Sequence, residues 1–457
     1  MNYDSILSYI KPDQKEKAKV EELSKKIINF LDNLSLQKDI PSKAVLVGSV
    51  AKGTWLSGKA DIDIFLNFPL ETSLQNLKKN GLFLGHECIK KMGGMAEERY
   101  ASHPYVTGTI DGYEIDFVPC YAIENSSQIK SAVDRTNLHN IYIQQNLKSE
   151  QLNEVLLLKK FMYGVETYGS EFKVGGFAGY LCELLILKYS NFEGVLKAAA
   201  HSWEPGLIID LENYDTGENF TEPLVVVDPV DKNRNVAAAL TLQKMSEFVA
   251  ASRNFLSEPK EEYFSKINLN GNSKLVEKLF TRRGTETILI SFKPPEVPSD
   301  AIYPQLKKTA DSMSRKLSDE GFIVENNGYW TDEIDLAVII LELSLWSLPD
   351  YKKNVGPELW NEYHSSKFLE KYGNQAYLEK DRWVVDIPRK QKDIYIFLNY
   401  YLQKENIHHL KTGKHLKKKI LQYHEIHDVS DFLGKNPPPE ILDFLFRFLN
   451  PGQQLWR

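Results

Sequence analysis

The chain has few cysteines, no long apolar run and no excess of one charge. Cys88, Cys120 and Cys182 are the only thiols in 457 residues. They are too scattered for a disulfide scaffold or a four-ligand zinc site, so a reducing, cytoplasmic setting is expected. No stretch approaches the roughly 18–20 apolar residues of a membrane-spanning helix, so no membrane partner is expected. The opening MNYDSILSYIKPDQKEK lacks a basic segment followed by an apolar one, so no secretory leader is expected either. Lys and Arg total 56 against 62 Asp and Glu. Any nucleic-acid surface must therefore be a local basic patch. Repeats and low-complexity tracts are also missing. What remains is an ordinary globular composition, 42% hydrophobic and 26% charged, long enough for two to four packed units.

Residues 3–36 read as one or two amphipathic helices broken at Pro12, because Leu23, Ile27, Phe30 and Leu31 recur at helical spacing. A strand at 44–47, a short helix and a strand at 62–68 follow, then predicted helices near 70–81 and 86–92. Asp111-Gly112 predicts a tight hairpin between 105–110 and 113–119, since a type I′ turn needs two positive-φ residues. Residues 1–140 thus make one α/β unit. Over 141–260 the spacing is helical, with a strand at 224–228. The last unit, 261–457, opens with a strand at 285–293 and a helix at 302–318. Strands at 322–325 and 334–343 then flank Asn327-Gly328, which reads as their turn. That β-α-β-β order resembles half of a ferredoxin-like sandwich. Helical segments near 357–371 and 388–404, with a hairpin at Lys380-Asp381, complete the chain.

The chemistry concentrates in Gly48-Ser49-Val-Ala-Lys52-Gly-Thr-Trp-Leu-Ser-Gly-Lys-Ala-Asp61-Ile-Asp63-Ile. Strand side chains alternate faces, so Asp61 and Asp63 share one face while Ile62 and Ile64 take the core. Paired carboxylates repel unless a cation lies between them, and magnesium accepts one or two carboxylates together with substrate phosphates. Gly48 lets backbone approach a ligand, Ser49 adds a hydroxyl, and Lys52 adds positive charge near a helix start that favours anions. Asp116, between Ile115 and Phe117, is expected to join the pair from a neighbouring strand. Three carboxylates can hold two magnesium ions, one activating an attacking hydroxyl and one steadying a leaving pyrophosphate. Asp332-Glu-Ile-Asp335 is a similar acidic run into an apolar strand but has no preceding Gly-Ser turn at the right distance, and reads as a solvated face.

Gly-Ser followed eleven residues later by Asp-x-Asp resembles the signature of polymerase-β-like nucleotidyltransferases. Further blocks resemble the archaeal-type (class I) CCA-adding branch: Ala101–Val106, Asp116–Tyr121, Ser131–Thr136, Phe177–Leu185 and Val227–Ala237. The resemblance implies an α+β multidomain chain with a polymerase-β-like head (1–140). A mostly helical neck (141–260) and a ferredoxin- or RRM-like body with a helical tail (261–457) follow. It implies addition of C, C and A to the 3′ end of tRNA from CTP and ATP, with Asp61, Asp63 and Asp116 as magnesium ligands. It places Ser49 and Lys52 on the nucleotide phosphates, His139, Lys159 and Tyr168 on the nucleotide, and Arg234 on the base or RNA end. A homodimer follows from the resemblance alone. The family pattern also admits Glu at the first carboxylate and Arg at position 52, where this chain has Asp61 and Lys52. Apart from the resemblance, an inward-facing Lys159 beside Val155 needs an anion, such as a triphosphate.

Residues 411–419 hold Lys411, Lys414, Lys417, Lys418 and Lys419 without an acid, and Arg282-Arg283 is a second basic candidate. Both are expected to grip the acceptor stem by its phosphates. Two other readings share the motif. One is a poly(A)-type or small-molecule nucleotidyltransferase. The other is an inactive tRNA-binding protein, against which all three carboxylates argue.

Overall fold

Pro12 separates α1 (Asp4–Ile10) from α2 (Gln14–Gln37), and the Asp13 carboxylate caps the second by accepting the Glu16 N–H. The computed structural model describes residues 1–100, 103–267 and 272–457. Ala101 and Ser102 of the Ala101–Val106 block lie outside the described residues. Two units result, Met1–Asn268 together with Gly452–Arg457, and Leu269–Pro451.

In the first unit, β1 (Lys43–Val47), α3 (Gly48–Lys52) and β2 (Ile62–Phe68) precede α4 (Leu74–Met92). The strands β3 (Met95–Tyr100), β4 (Pro104–Ile110) and β5 (Tyr113–Tyr121) complete a sheet in the order β1-β2-β5-β4-β3. Only β2 and β5 pair in parallel. Asp111 and Gly112 make the predicted hairpin turn, at φ 51° and 82°. The two helices expected over 70–92 are one. Gly81 and Gly85, between the two expected segments, lie where α4 meets the sheet. A Cβ at Gly81 would fall 2.5 Å from Pro119, and one at Gly85 2.9 Å from Val106. The edge strand β3, exposed throughout, carries no apolar alternation and escaped prediction.

The same unit continues with α5 (Arg135–Asn146), α6 (Gln151–Gly164), α7 (Gly179–Tyr189) and α8 (Phe192–Ser202). A small sheet of β6 (Leu207–Asp210), β7 (Leu224–Asp228) and β8 (Asp231–Asn235), then α9 (Leu242–Ser257), follow. Phe161, Phe192, Phe255 and Phe264 pack edge to face at the centre of this helical layer. The C-terminal residues return here. The Arg457 guanidinium donates to the carbonyls of Gly164, Glu262 and Ser265, and Asn254 donates to that of Leu455.

The second unit opens with α10 (Ser273–Arg283) and runs β9 (Glu286–Phe292), α11 (Ser299–Glu320), β10 (Ile323–Thr331) and β11 (Ala337–Leu345). This is the predicted β-α-β-β order. Asn327-Gly328 is not the turn, however: both residues lie inside β10, and the chain reverses at Asp332–Leu336. Gly328 is needed for packing, since a Cβ there would sit 3.0 Å from Ile340 and 3.2 Å from Phe448. Asp332 Oδ1 accepts the N–H groups of Ile334, Asp335 and Leu336, which makes the Asp-Glu-Ile-Asp decoy a turn. A second sheet of β12 (Tyr351–Glu358), β13 (Tyr377–Glu379) and β14 (Arg382–Pro388) surrounds α12 (Glu362–Tyr372) in sequence. Then come α13 (Ile394–Tyr401), α14 (Lys414–Gln422), β15 (Glu425–Asp428), which pairs with β9, α15 (Val429–Gly434) and α16 (Pro439–Leu449). Among the described residues no helix is long and apolar enough to cross a membrane.

Candidate active site

The parallel pairing of β2 with β5 sets Asp63 directly opposite Asp116, with Ile62 against Ile115 and Ile64 against Phe117 in the same register. All four of those apolar side chains are fully buried, so the alternation turns both aspartates to the other face. Asp61 stands one residue before β2, at the exposed end of the pair. Burial pushes the Asp63 carboxyl up to about 7, and repulsion from Asp116 and Asp61 adds to it against the pull of Lys52. Burial also raises Asp116, with Glu114 and Asp61 contributing. Asp116 Oδ1 and Thr107 Oγ1, on facing positions of β5 and β4, are buried without a hydrogen-bond partner.

Mutually repelling carboxylates with an orphaned oxygen suit a divalent cation. Among the described residues no three acidic, imidazole or thiol groups already stand as a complete ligand set. Substrate phosphates would have to supply the remaining ligands, as magnesium usually requires.

Beside this cluster lies a cleft of about 270 Å³, lined by Gly48, Ser49, Lys52, His139, Lys159 and Tyr168, with Tyr180 and Glu183 among the others. Six expected nucleotide-site residues therefore share one cavity. Gly48 joins it to the carboxylates: its φ is 75°, and a Cβ there would fall 2.0 Å from Asp63 Oδ2. The α3 helix is only five residues long, so Gly48 serves more by leaving room than by heading a helix dipole.

The anion facing Lys159 is a side chain of the protein itself. Glu183, fully buried in α7, receives Lys52 Nζ at 2.5 Å and Thr54 Oγ1 at 2.6 Å, with Lys159 Nζ 3.6 Å away. Lys159 also donates to the Thr54 carbonyl at 2.9 Å. Burial works to raise the Glu183 pKa, but the two ammoniums and the hydrogen bonds from Lys52 and Thr54 outweigh it and hold the pKa low. One carboxylate thus fixes two cations at the cleft. Sequence reasoning missed it; the available signal was an acid amid Leu181-Cys-Glu-Leu-Leu-Ile, where nothing else is charged.

Asp228 is a second missed hub, fully buried at the end of β7. His139 Nε2 and Arg234 Nη1 each lie 2.8 Å from its Oδ2, and Val230 N–H donates to Oδ1. Arg234 does not line the cleft and does not pair with neighbouring Asp231, which holds Arg135 instead. Arg234 is tied to the cleft through His139, whose ring stacks on Tyr180 at 4.1 Å. Burial lowers the His139 pKa, with Arg234 and Lys52 adding to the effect. Asp228 works the other way, and its carboxylate accepts from the ring Nε2.

In the second unit, Lys414 and Lys418 are exposed on α14, whose Leu416 and Ile420 are buried. Lys411 is exposed, and Lys417 and Lys419 are half-buried. None of the five makes an ion pair among the described residues. Arg283 differs: its guanidinium grips buried Glu342 through two nitrogens, so its charge is matched internally. Arg282 is exposed.

Residues 10–139 match the family described as nucleotidyltransferase domain, 153–265 that described as tRNA nucleotidyltransferase, second domain, and 283–428 that described as CCA-adding enzyme, C-terminal domain. The CCA-adding enzyme of Methanothermobacter thermautotrophicus is 51% identical over 456 residues, 100% of this chain and 99% of that protein. Those of Methanosarcina barkeri and Haloarcula marismortui are 39% and 32% identical, covering 84% and 85% of this chain and 86% and 87% of theirs. The chain belongs to the family of CCA-adding enzymes. It is accordingly a tRNA nucleotidyltransferase with the polymerase-β-like head that its Gly-Ser and Asp-x-Asp spacing implied.

Two outcomes follow from the buried charges. Asp63 has a folded pKa above its unfolded value, so ionising it opposes folding. Asp63→Asn should be more stable than the parent at pH 8, with the difference shrinking as pH falls from about 7 toward 4. Denaturant melts at pH 5 and 8 without divalent cations check this, and equal gains at both would deny that the fold raises the Asp63 pKa. Glu183→Gln leaves two buried ammoniums uncompensated and should cost about 3–5 kcal/mol in the same melts. A loss below about 1 kcal/mol would mean that both lysines reach water instead.

Proposed function

We propose that this chain adds C, C and A to the 3′ end of tRNA without a nucleic-acid template. In this reading the RNA 3′-hydroxyl attacks the α-phosphate of CTP or ATP, and pyrophosphate leaves. The observation that carries it is the register of Asp63 with Asp116 beside a cleft whose base holds two lysines.

Asp61, Asp63 and Asp116 would hold magnesium, in all two ions, whose chemistry is to acidify the attacking hydroxyl and offset charge on the pyrophosphate. Lys52, Lys159 and the Ser49 hydroxyl bind the triphosphate. Gly48 keeps the Asp63 carboxylate within reach of it, because any side chain there would occupy the same space. Asp116 receives the hydroxyl proton, directly or through its place in the cation site. Burial raises its pKa, the direction that strengthens a carboxylate as a base. His139 and Tyr168 orient the nucleotide, and Arg234 reaches the base or RNA end once its link to Asp228 loosens.

The 411–419 lysines, with Arg282, grip the acceptor stem. Arg283 is the weakest member of that set, given its bond to Glu342. A homodimer, which rests on family resemblance, and a cytoplasmic location, which rests on the few scattered cysteines, complete the reading.

Incubation with tRNA lacking its terminal CCA and labelled CTP tests the activity. Incorporation of two C residues and then one A is expected, whereas a poly(A)-type enzyme would ignore CTP. Asp116→Ala should lower incorporation by at least about a thousandfold, as loss of a base or cation ligand would, while tRNA binding stays within a few-fold. Unchanged turnover would remove Asp116 from the site. Changing Lys417, Lys418 and Lys419 to Ala should weaken tRNA binding and make its log–log salt dependence shallower by about 2. An unchanged slope would make the patch ordinary solvated surface.

A further inference from the structure

Away from the triphosphate cleft, in the same unit, three ammoniums gather around one phenol. Lys59 Nζ lies 3.9 Å, Lys266 Nζ 4.5 Å and Lys160 Nζ 5.4 Å from the Tyr163 ring centroid. Lys160 also reaches the Tyr9 ring at 5.9 Å. Lys59, Lys266 and Tyr9 are exposed, while Lys160 and Tyr163 are half-buried. None of the three lysines forms an ion pair among the described residues. Glu261, at the Tyr9 edge, accepts from Ser5 Oγ.

A ring face attracts a cation by about 0.5–1 kcal/mol at exposed sites, which does not explain gathering three like charges on one ring. Burial lowers the Lys160 pKa and Lys59 adds repulsion against the pull of Tyr163, whose own pKa the three lysines lower; three charges thus share one phenol, and no carboxylate is paired with them among the described residues. The cluster's location indicates which anion it would take. Lys59 is two residues before Asp61, within about 7 Å along an extended chain, and Lys160 follows the cleft-lining Lys159 on α6. This puts the cluster within reach of a strand whose end lies at the carboxylates. Open lysines beside an exposed aromatic ring suit single-stranded nucleic acid, whose backbone tracks cations while its bases stack. A free triphosphate fits the enclosed cleft better.

We propose that Lys59, Lys160 and Lys266 form a second phosphate site, distinct from the triphosphate cleft, which holds the RNA backbone just behind its 3′ end, with Tyr9 offering a stacking face. This rests on the reading of RNA as the acceptor given above.

The test uses the full chain, tRNA lacking CCA, and the triple variant K59Q/K160Q/K266Q, with binding measured across a potassium chloride series. At 0.1 M salt the Kd should rise about tenfold and the log–log salt slope become shallower by about 2, as loss of three phosphate contacts to a single strand requires. The KM for tRNA should rise while that for CTP stays within about twofold, and replacing the same lysines by Arg should restore both tRNA values. Lys266→Gln alone, an exposed change, should reduce the slope by about 0.7 and covers the case in which the triple variant fails to fold. A Kd and slope equal to the parent's, or a rise in the CTP KM alone, would overturn the proposal. The parent's own incorporation of CTP separates the two readings. If the parent does not extend RNA, the function reading fails; if it does and the variants bind normally, only this site falls.

Discussion

The site depends on one pairing, the parallel register of β2 against β5. Every other neighbour in that sheet is antiparallel, so this pair is where two strands enter side by side and present carboxylates from the same end. A slip of one residue would turn Asp116 into the core and Ile115 toward solvent, which burial of Ile115 and Phe117 forbids. Hydrophobic packing on one face thereby enforces an electrostatically unfavourable arrangement on the other. The cost is carried by the sheet, and it leaves Asp63 and Asp116 short of partners, which the proposed cations and phosphates would supply.

Opposite charges are handled by the reverse device. Glu183 and Asp228 are fully buried acids that hold side chains at the cleft before any ligand is present, Glu183 the two lysine ammoniums and Asp228 the His139 ring together with Arg234 outside it. Each keeps long side chains in defined positions, so less ordering remains to be done when substrate binds. In the proposed reading a triphosphate would compete for ammoniums already in place, instead of recruiting them from solvent.

Much of this was legible in the sequence. The two-residue alternation around Asp61, Asp63 and Asp116 located a shared face, and the Asp111-Gly112 turn fixed the hairpin that carries β5. Failures came where glycine served packing instead of turning. Gly81, Gly85 and Gly328 all admit a close neighbour, and a local reading cannot tell that from a break or a turn. Glu183 and Asp228 escaped because each looks like the odd residue in an apolar segment; only the fold brings Lys52, His139 and Arg234 across to them. Lys159 was correctly expected to need an anion, but a carboxylate 24 positions further along the chain already supplies one.

The return of Gly452–Arg457 to the first unit has a mechanical consequence. The chain crosses between the units twice, so residues 272–451 behave as a long insertion anchored at both ends. A single proteolytic nick between the units would not release two independent fragments. After a nick at the first crossing, the two pieces would still be joined non-covalently, through the hydrogen bonds of Arg457 and Leu455 to the first unit.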